Sequence, residues 1–271
     1  MRVKSLHIYP VKSLRGIDLN AAEVRPRGLA GDRRFMLVRR NGQFITQRTH
    51  PRLARIKAEL TSSGIRIYIP EAGCFDVPYP QGEKRMQVTV WRDQLKAAFV
   101  DHAVNAAISA FLGAQVALVH MDADTRRAAD RAWAGDRHEV SFADGFPVLI
   151  TNHASLGALN AHIVNEGLCP LSMDRFRPNI VVDCETPWAE NDWQALRIGE
   201  VELKLVKPCA RCVVTSIDQK TGKPGAKSAL SALKTLNPSK DPDNPGVIFG
   251  QNAVVTKPGH IAVGTPVEHI G

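Results

Sequence analysis

The feature that most constrains this chain is how often its first third is interrupted. Up to about residue 91 no apolar stretch runs far before Gly, Pro or Asn breaks it. The pieces at residues 3–9, 34–39, 44–46, 65–69 and 86–91 each read as a short strand. Asn41-Gly42 lies between Leu37-Val38 and Phe44-Ile45 and signals a hairpin, because both residue types tolerate positive φ. Ile65, Ile67 and Ile69 fall on one face of a strand, Arg66 and Tyr68 on the other. Many short strands at regular turns predict a small barrel or sandwich for residues 1–95.

Past residue 95 the hydrophobic period lengthens. With Asp101 as N-cap, Val104, Ile108, Phe111 and Leu112 form a helical stripe that stops at Gly113. A second helix is predicted over residues 154–165, burying Leu156, Leu159 and Ile163 and ending before Gly167. Strands are then expected at 179–182, 195–198, 201–206, 213–217, 253–256 and 261–270, the last broken by Gly264. Residues 224–246, rich in Lys, Ser, Pro, Asn and Asp, read as a mobile loop. The expected class is α+β and β-rich, with a second domain over residues 96–271.

Composition removes several functions. A length of 271 residues suits one large domain or two small ones. No window approaches the ~18 uninterrupted apolar residues of a membrane span, and the N-terminus lacks a signal peptide's apolar core. Five cysteines, an odd number, argue against a secreted disulfide scaffold, so a reducing cytoplasm is expected. The 35 Lys+Arg against 27 Asp+Glu give +8, an attraction to something anionic. The basic residues are dispersed and no aromatic stripe accompanies them, so no nucleic-acid partner is expected.

Four constellations carry chemistry. Cys209-Ala210-Arg211-Cys212 follows a predicted strand and the stiff Lys207-Pro208 step. Cys74, Cys169 and Cys184 are isolated, which disfavours a zinc ribbon, and a strand after Cys212 disfavours a thioredoxin-like helix. What remains is a thiolate ligand for a soft transition metal, or two small buried cysteines without chemistry. Arg175-Phe176-Arg177-Pro178-Asn179 places two guanidiniums on one side of an extended segment, as a phosphate clamp or as a solvated edge. Lys12-Ser13, between Pro10 and Gly16, offers an ammonium, a hydroxyl and backbone N–H groups for an anion, with Arg33 close behind. Asp144, between Phe142 and Phe146, is expected to be partly desolvated with a raised pKa.

The order of these motifs is more specific than any one of them. Pro-Val-Lys-Ser, Gly-x-x-x-Asp-Arg, Ser-Phe-Ala-Asp-Gly-Phe-Pro, Phe-Arg-Pro-Asn-Ile, Lys-Pro-Cys-x-Arg-Cys and Phe-Gly-Gln-Asn occur in that sequence from the N-terminus. The series resembles the MOSC family, in the branch with an N-terminal β-barrel that includes YcbX-like proteins and the mitochondrial amidoxime reducing component. The resemblance implies two β-barrel domains and a molybdenum cofactor between them, a pterin with a dithiolene and a phosphate. By resemblance, Cys212 is the protein's sulfur ligand to the metal. Lys12, Ser13, Arg33, Arg177, Asn179, Ala210 and Arg211 hold the pterin, and Asp144 positions water or passes a proton near the metal. Position 210 is Ala where many relatives have Ser, so any contact there comes from backbone. The implied activity is reduction of a small N-hydroxylated compound, N–OH to N–H; the alternative is handling of the cofactor or of sulfur through a Cys212 persulfide. YcbX carries a ferredoxin extension, but this chain has no Cys-x4-Cys-x2-Cys spacing and so no iron–sulfur cluster is expected in it. Electrons are therefore expected from a separate ferredoxin or flavoprotein.

Overall fold

A computed structural model describes residues 1–81, 84–225 and 228–270. Its first strand, Arg2–Ile8, joins the sheet made by the last half of the chain, second from one edge. It pairs antiparallel with Ile17–Leu19 on one side and with Ile180–Asp183 on the other, in the register Val3 to Val182 and Leu6 to Ile180. The eight-stranded sheet continues outward from Ile180–Asp183 through Val148–Asn152, Ile248–Lys257, Val201–Ala210 and Ala195–Ile198 to Val267–His269. Alternating Val, Leu and Ile from these strands, including Leu6, Ile8, Ile150, Ile180, Leu203 and Ala253, close one core. Each fully buried Leu or Ile there stabilises the fold by roughly 1.5–3 kcal/mol.

The segments between build the second half. Phe35–Val38, Ala117–His120, Asp93–Phe99 and Arg85–Val90 form a four-stranded antiparallel sheet, and Lys57–Leu60, Gly64–Ile69 and Gly73–Pro78 a three-stranded one. The α-helix Val104–Leu112 packs Val104, Ile108 and Phe111 against Ile65, Ile67 and Ile69, the face expected from their alternation. The protein is β-rich α+β, with four α-helices among the described residues.

Most expected elements form, and four differ. Asp101 does not cap the first helix; it pairs with Lys84, and the Val104 N–H bonds to His102 Nδ1 instead. Residues 44–46 make only a single bridge, Phe44 to Val38, although Gly42 takes the positive φ of 79° that the Asn-Gly turn requires. Val213–Ser216 is a 3-10 turn rather than a strand. Within 224–246 the chain forms the α-helix Ser228–Leu236, while Ala226 and Lys227 lie outside the described residues. Its Ala229, Ala232 and Leu233 fall on one helical face and pack against Leu156, Leu159 and Ile163 of the helix His153–Asn165. Ser231, Lys234 and Thr235 are exposed on the other face, and most of the Pro, Asn and Asp residues that made this stretch read as loop follow the helix.

Two glycines allow close approaches that shape the site. Gly250, at φ 81°, lies where a Cβ would stand 2.5 Å from the Ile150 carbonyl oxygen of the neighbouring strand. Gly28, at φ 96°, brings the Ala21–Arg25/Gly28–Leu29 hairpin directly onto the Pro147 carbonyl.

His120 packs in a trio of rings with Phe35, 4.5 Å between ring centroids, and Tyr79 at 5.2 Å, with its Nδ1 buried and unpartnered. Burial, aided by Arg34, lowers its pKa from 6.5 to about 4. The folded state thus binds this proton more weakly than the unfolded chain. The stability it contributes is complete above pH 6.5 and declines as pH falls toward 4. Urea unfolding at pH 7 and pH 5 should show a loss on acidification that His120→Phe reduces by on the order of 1–2 kcal/mol. An unchanged pH dependence in the variant would show that His120 is not the group responsible.

Candidate functional site

Lys12, Ser13, Arg33, Asp144, Arg177, Asn179, Ala210, Arg211 and Cys212 line one cleft with about 890 Å³ of space opening to solvent. They arrive from five separate segments, and three of them stand on left-handed backbone: Ser13 at φ 68°, Arg33 at 46° and Arg177 at 55°. For residues with a Cβ such conformations cost energy and persist only where surrounding contacts hold them. Those contacts are visible. Arg33 N–H donates to the Tyr9 carbonyl and Phe142 N–H to the Arg33 carbonyl, Gln47 Nε2 donates to the Ser13 carbonyl, and the Arg177 carbonyl accepts from the Arg33 guanidinium.

The Lys12 ammonium is buried and donates to the Phe142 carbonyl at 2.7 Å and to Asp144 Oδ1 at 2.5 Å. Burial lowers its pKa to about 8, against the opposing pull of Asp144. The expected rise in the Asp144 pKa is not found. Burial pushes the carboxyl up, but the charge and hydrogen bond of Lys12, with Arg48 and Arg33, outweigh it and hold the group below the ordinary carboxylate range. The Asp144 side chain is 67 % exposed toward the cleft, and there the surrounding cations, more than its flanking phenylalanines, set its protonation.

Arg33 bonds Asp32 Oδ2 at 2.7 Å, Asn179 Oδ1 at 3.2 Å and the Arg177 carbonyl at 3.2 Å, with its guanidinium 4.2 Å from the Tyr9 ring centroid. Arg177 stacks on the same ring at 4.1 Å and donates to Gln219 Oε1. Burial, partly offset by Tyr9, lowers its pKa to about 10. Asn179 is buried, and its amide serves Leu149 N–H, Arg33 and the His7 carbonyl, so it braces Arg33 and the strands beneath. Arg175 does not join Arg177. Met173–Phe176 is a 3-10 turn, not an extended segment, and Arg175 turns away to Asp218.

The strand Val201–Ala210 ends in the cleft, where Cys209, Arg211 and Cys212 all reach the lining. Arg211 donates to Cys209 Sγ at 2.9 Å and to the Phe176 carbonyl at 2.5 Å, and its buried Nε has no partner. Cys212 begins the 3-10 turn and its sulfur accepts a hydrogen bond from Arg48 Nη2 at 3.3 Å. All five cysteines are free thiols. Lys12 and Arg33 have carboxylate partners in Asp144 and Asp32, while Arg48, Arg177 and Arg211 have no ion-pair partner among the described residues. The cleft therefore holds an excess of cations beside an accessible sulfur, which suits a polyanionic ligand with soft coordination chemistry.

Sequence reasoning missed four contributors. Arg48 has no motif around it; only the turn at Thr46, whose hydroxyl accepts the Arg48 N–H, carries it to Cys212. Gln47 and Gln219 exchange two buried hydrogen bonds of 3.0 and 2.9 Å across 172 positions. Trp91, at φ 57°, stacks under Arg48 and donates from Nε1 to Asp144.

Residues 1–115 match the sequence model of the MOSC N-terminal beta barrel domain and residues 137–268 that of the MOSC domain. Along 99% of its length the chain is 32% identical to mitochondrial amidoxime-reducing component 1 of Homo sapiens, covering 83% of that protein. It is similar at 32% identity to the same component from Danio rerio, over 99% of this chain and 84% of that one. With mitochondrial amidoxime reducing component 2 of Rattus norvegicus the identity is 30%, over 98% and 82%.

Arg127 secures the Asp144 turn. Its buried guanidinium bonds the carbonyls of Ser141, Ala143 and Asp144 and pairs with Asp93 at 2.7 Å. Arg127→Met leaves these carbonyls without a donor, with an expected loss of about 3 kcal/mol by denaturant unfolding. Amide exchange at residues 141–145 should rise more than elsewhere; uniform exchange across the chain would contradict a local role.

Proposed function

Because the chain belongs to the MOSC family, with a MOSC N-terminal beta barrel ahead of the MOSC domain, we propose that it is a molybdenum-cofactor-dependent reductase of N-hydroxylated compounds. The observation that carries this reading is the cleft itself: three arginines without carboxylate partners around a free thiol. The residues present fit a pterin dithiolene with a phosphate. The unpartnered buried Nε of Arg211 and the cations facing the cleft call for an anion, and Cys212 is a soft donor at its edge. Lys12, Ser13, Arg33, Arg177, Asn179, Ala210 and Arg211 would hold such a group, with Asn179 acting through Arg33, and Cys212 would ligate its metal. When bound, the cofactor supplies a two-electron centre able to take oxygen from an N–OH group.

The remaining chemistry belongs to the chain's own side chains. Conversion of N–OH to N–H consumes two electrons and two protons and releases water. Asp144, ionised and open to the cleft, accepts a hydrogen bond from that water or from the substrate hydroxyl. Lys12, with a pKa of about 8, holds the proton that Asp144 orients. Electrons come from a separate ferredoxin or flavoprotein. A net charge of +8 favours an acidic partner for this role. Five free thiols support a reducing compartment, the cytoplasm.

Protein made in a host that synthesises the cofactor should contain about one molybdenum per chain by elemental analysis. It should turn over an amidoxime with a supplied reductant. Cys212→Ala should lower turnover by at least roughly 100-fold. Protein that carries a Cys212 persulfide, no molybdenum and no activity would instead support sulfur handling.

A further inference from the structure

The mouth of the cleft is built differently from its floor. On the floor Lys12 and Arg33 face carboxylates, and Arg177 and Arg211 are engaged with Gln219, Cys209 and Phe176. Arg48 is the exposed cation of the set. It comes from the turn at Thr46, fixed because Thr46 accepts the Thr49 and His50 N–H groups and neighbouring Gln47 is locked to Gln219. Its guanidinium centre stands 4.6 Å from the Trp91 ring centroid, and one nitrogen reaches the Cys212 sulfur at 3.3 Å. Trp91 is itself fixed, by its edge-on contact with Phe44 at 5.0 Å and its Nε1 bond to Asp144 at 3.3 Å. One indole thus seats a guanidinium on its face and a carboxylate at its edge, and the guanidinium is the group beside the sulfur.

We infer that Arg48, seated on Trp91, sorts ligands at this mouth by charge, admitting neutral or anionic molecules and rejecting cations. This rests on the reductase reading and gives it a direction. An amidoxime is a weak base and neutral near pH 7, whereas the amidine formed when it loses oxygen is a strong base and protonated. A fixed cation against the sulfur repels the product and leaves the substrate unaffected, because the Coulomb energy follows the ligand's charge. Arg48 also carries N–H donors beyond the one on Cys212, so it can hydrogen-bond a neutral ligand's oxygen as well as repel a cation. The preferred substrate class is therefore a neutral or anionic N-hydroxylated compound whose reduced form is more basic.

Charge sorting is measurable without turnover. In full-length protein purified free of cofactor, Cys212 is modified in parallel by an anionic sulfonatoethyl and a cationic trimethylammonioethyl methanethiosulfonate, and the adduct is assigned to Cys212 by peptide mass. At one pH the ratio of the two rates cancels the thiolate fraction and reports local potential. The anionic reagent should be faster by about tenfold, Arg48→Gln should reduce that ratio to about threefold, and Arg48→Lys should restore most of it. In cofactor-loaded enzyme, inhibition by benzamidine should strengthen several-fold in Arg48→Gln relative to inhibition by neutral benzamide. An Arg48→Gln ratio equal to the wild type overturns the inference, and a properly folded Trp91→Leu protein with the wild-type ratio removes the seat from it. If the thiol ratio behaves as expected but loaded protein fails on every N-hydroxy compound, the reductase reading fails while charge sorting stands. If turnover is present and the ratio does not move, the reverse holds.

Discussion

The ladder between Arg2–Ile8 and Ile180–Asp183 is the constraint from which the site follows. It places the chain's first strand beside a strand that begins some 170 positions later, inside the sheet of the MOSC half. Everything attached to its end, the Tyr9-Pro10 step, Lys12, Ser13 and the Arg33 turn that bonds Tyr9, is thereby delivered opposite Arg177 and Cys212. The His7 N–H to Asn179 carbonyl bond, and the Asn179 side chain returning to the His7 carbonyl, tie the two chain segments at the level of the cleft. The N-terminal strands up to Leu29 pair into the sheets of the later half, so the segment that carries Lys12, Ser13 and Arg33 is anchored there by backbone pairing and not simply docked.

The charges in that cleft are arranged against cost. An unpaired buried cation loses hydration that only close partners can replace. Deep in the cleft this is met by Asp32 for Arg33 and by Asp144 for Lys12. Where carboxylates run out, the protein uses aromatic faces and carbonyls: Tyr9 carries both Arg33 and Arg177, and Phe176 presents its ring and its carbonyl to Arg211. Such partners stabilise a guanidinium without neutralising it. The positive potential therefore survives, and the left-handed backbones of Ser13, Arg33 and Arg177 are the local strain accepted to aim these groups inward.

How much of this could be read beforehand depended on whether a feature was local. Short strands and the helices near 104–112 and 153–165 follow from periodicity and punctuation, which are properties of neighbouring residues. The Lys-Ser, Arg-Pro-Asn and Cys-x-Arg-Cys motifs were legible because several short patterns occur in one order. Asp101 failed as a cap because its carboxylate had a better partner in Lys84, and Ser228–Leu236 was hidden because its small apolar face only gains value against Leu159 and Ile163. Arg48, Gln47 and Trp91 carried no signal at all. Their roles exist only through contacts with residues about 50 to 170 positions away. The Asp144 pKa went the other way for the same reason: its sequence neighbours are apolar, but its spatial neighbours are cations.

That contrast bears on how the cleft works as a unit. Gln47 and Gln219 satisfy one another's amides out of water, where a buried hydrogen bond is stronger and an unmade one costs more. Gln47 Nε2 also donates to the Ser13 carbonyl, and Gln219 Oε1 accepts from Arg177. One amide pair therefore reports on both walls: shifting the turn that presents Arg48 disturbs the backbone behind Lys12 and the seat of Arg177 together. The mouth and the floor of the cleft are thus built on one buried amide pair, which joins the turn that presents Arg48 to the backbone of Ser13 and to the guanidinium of Arg177.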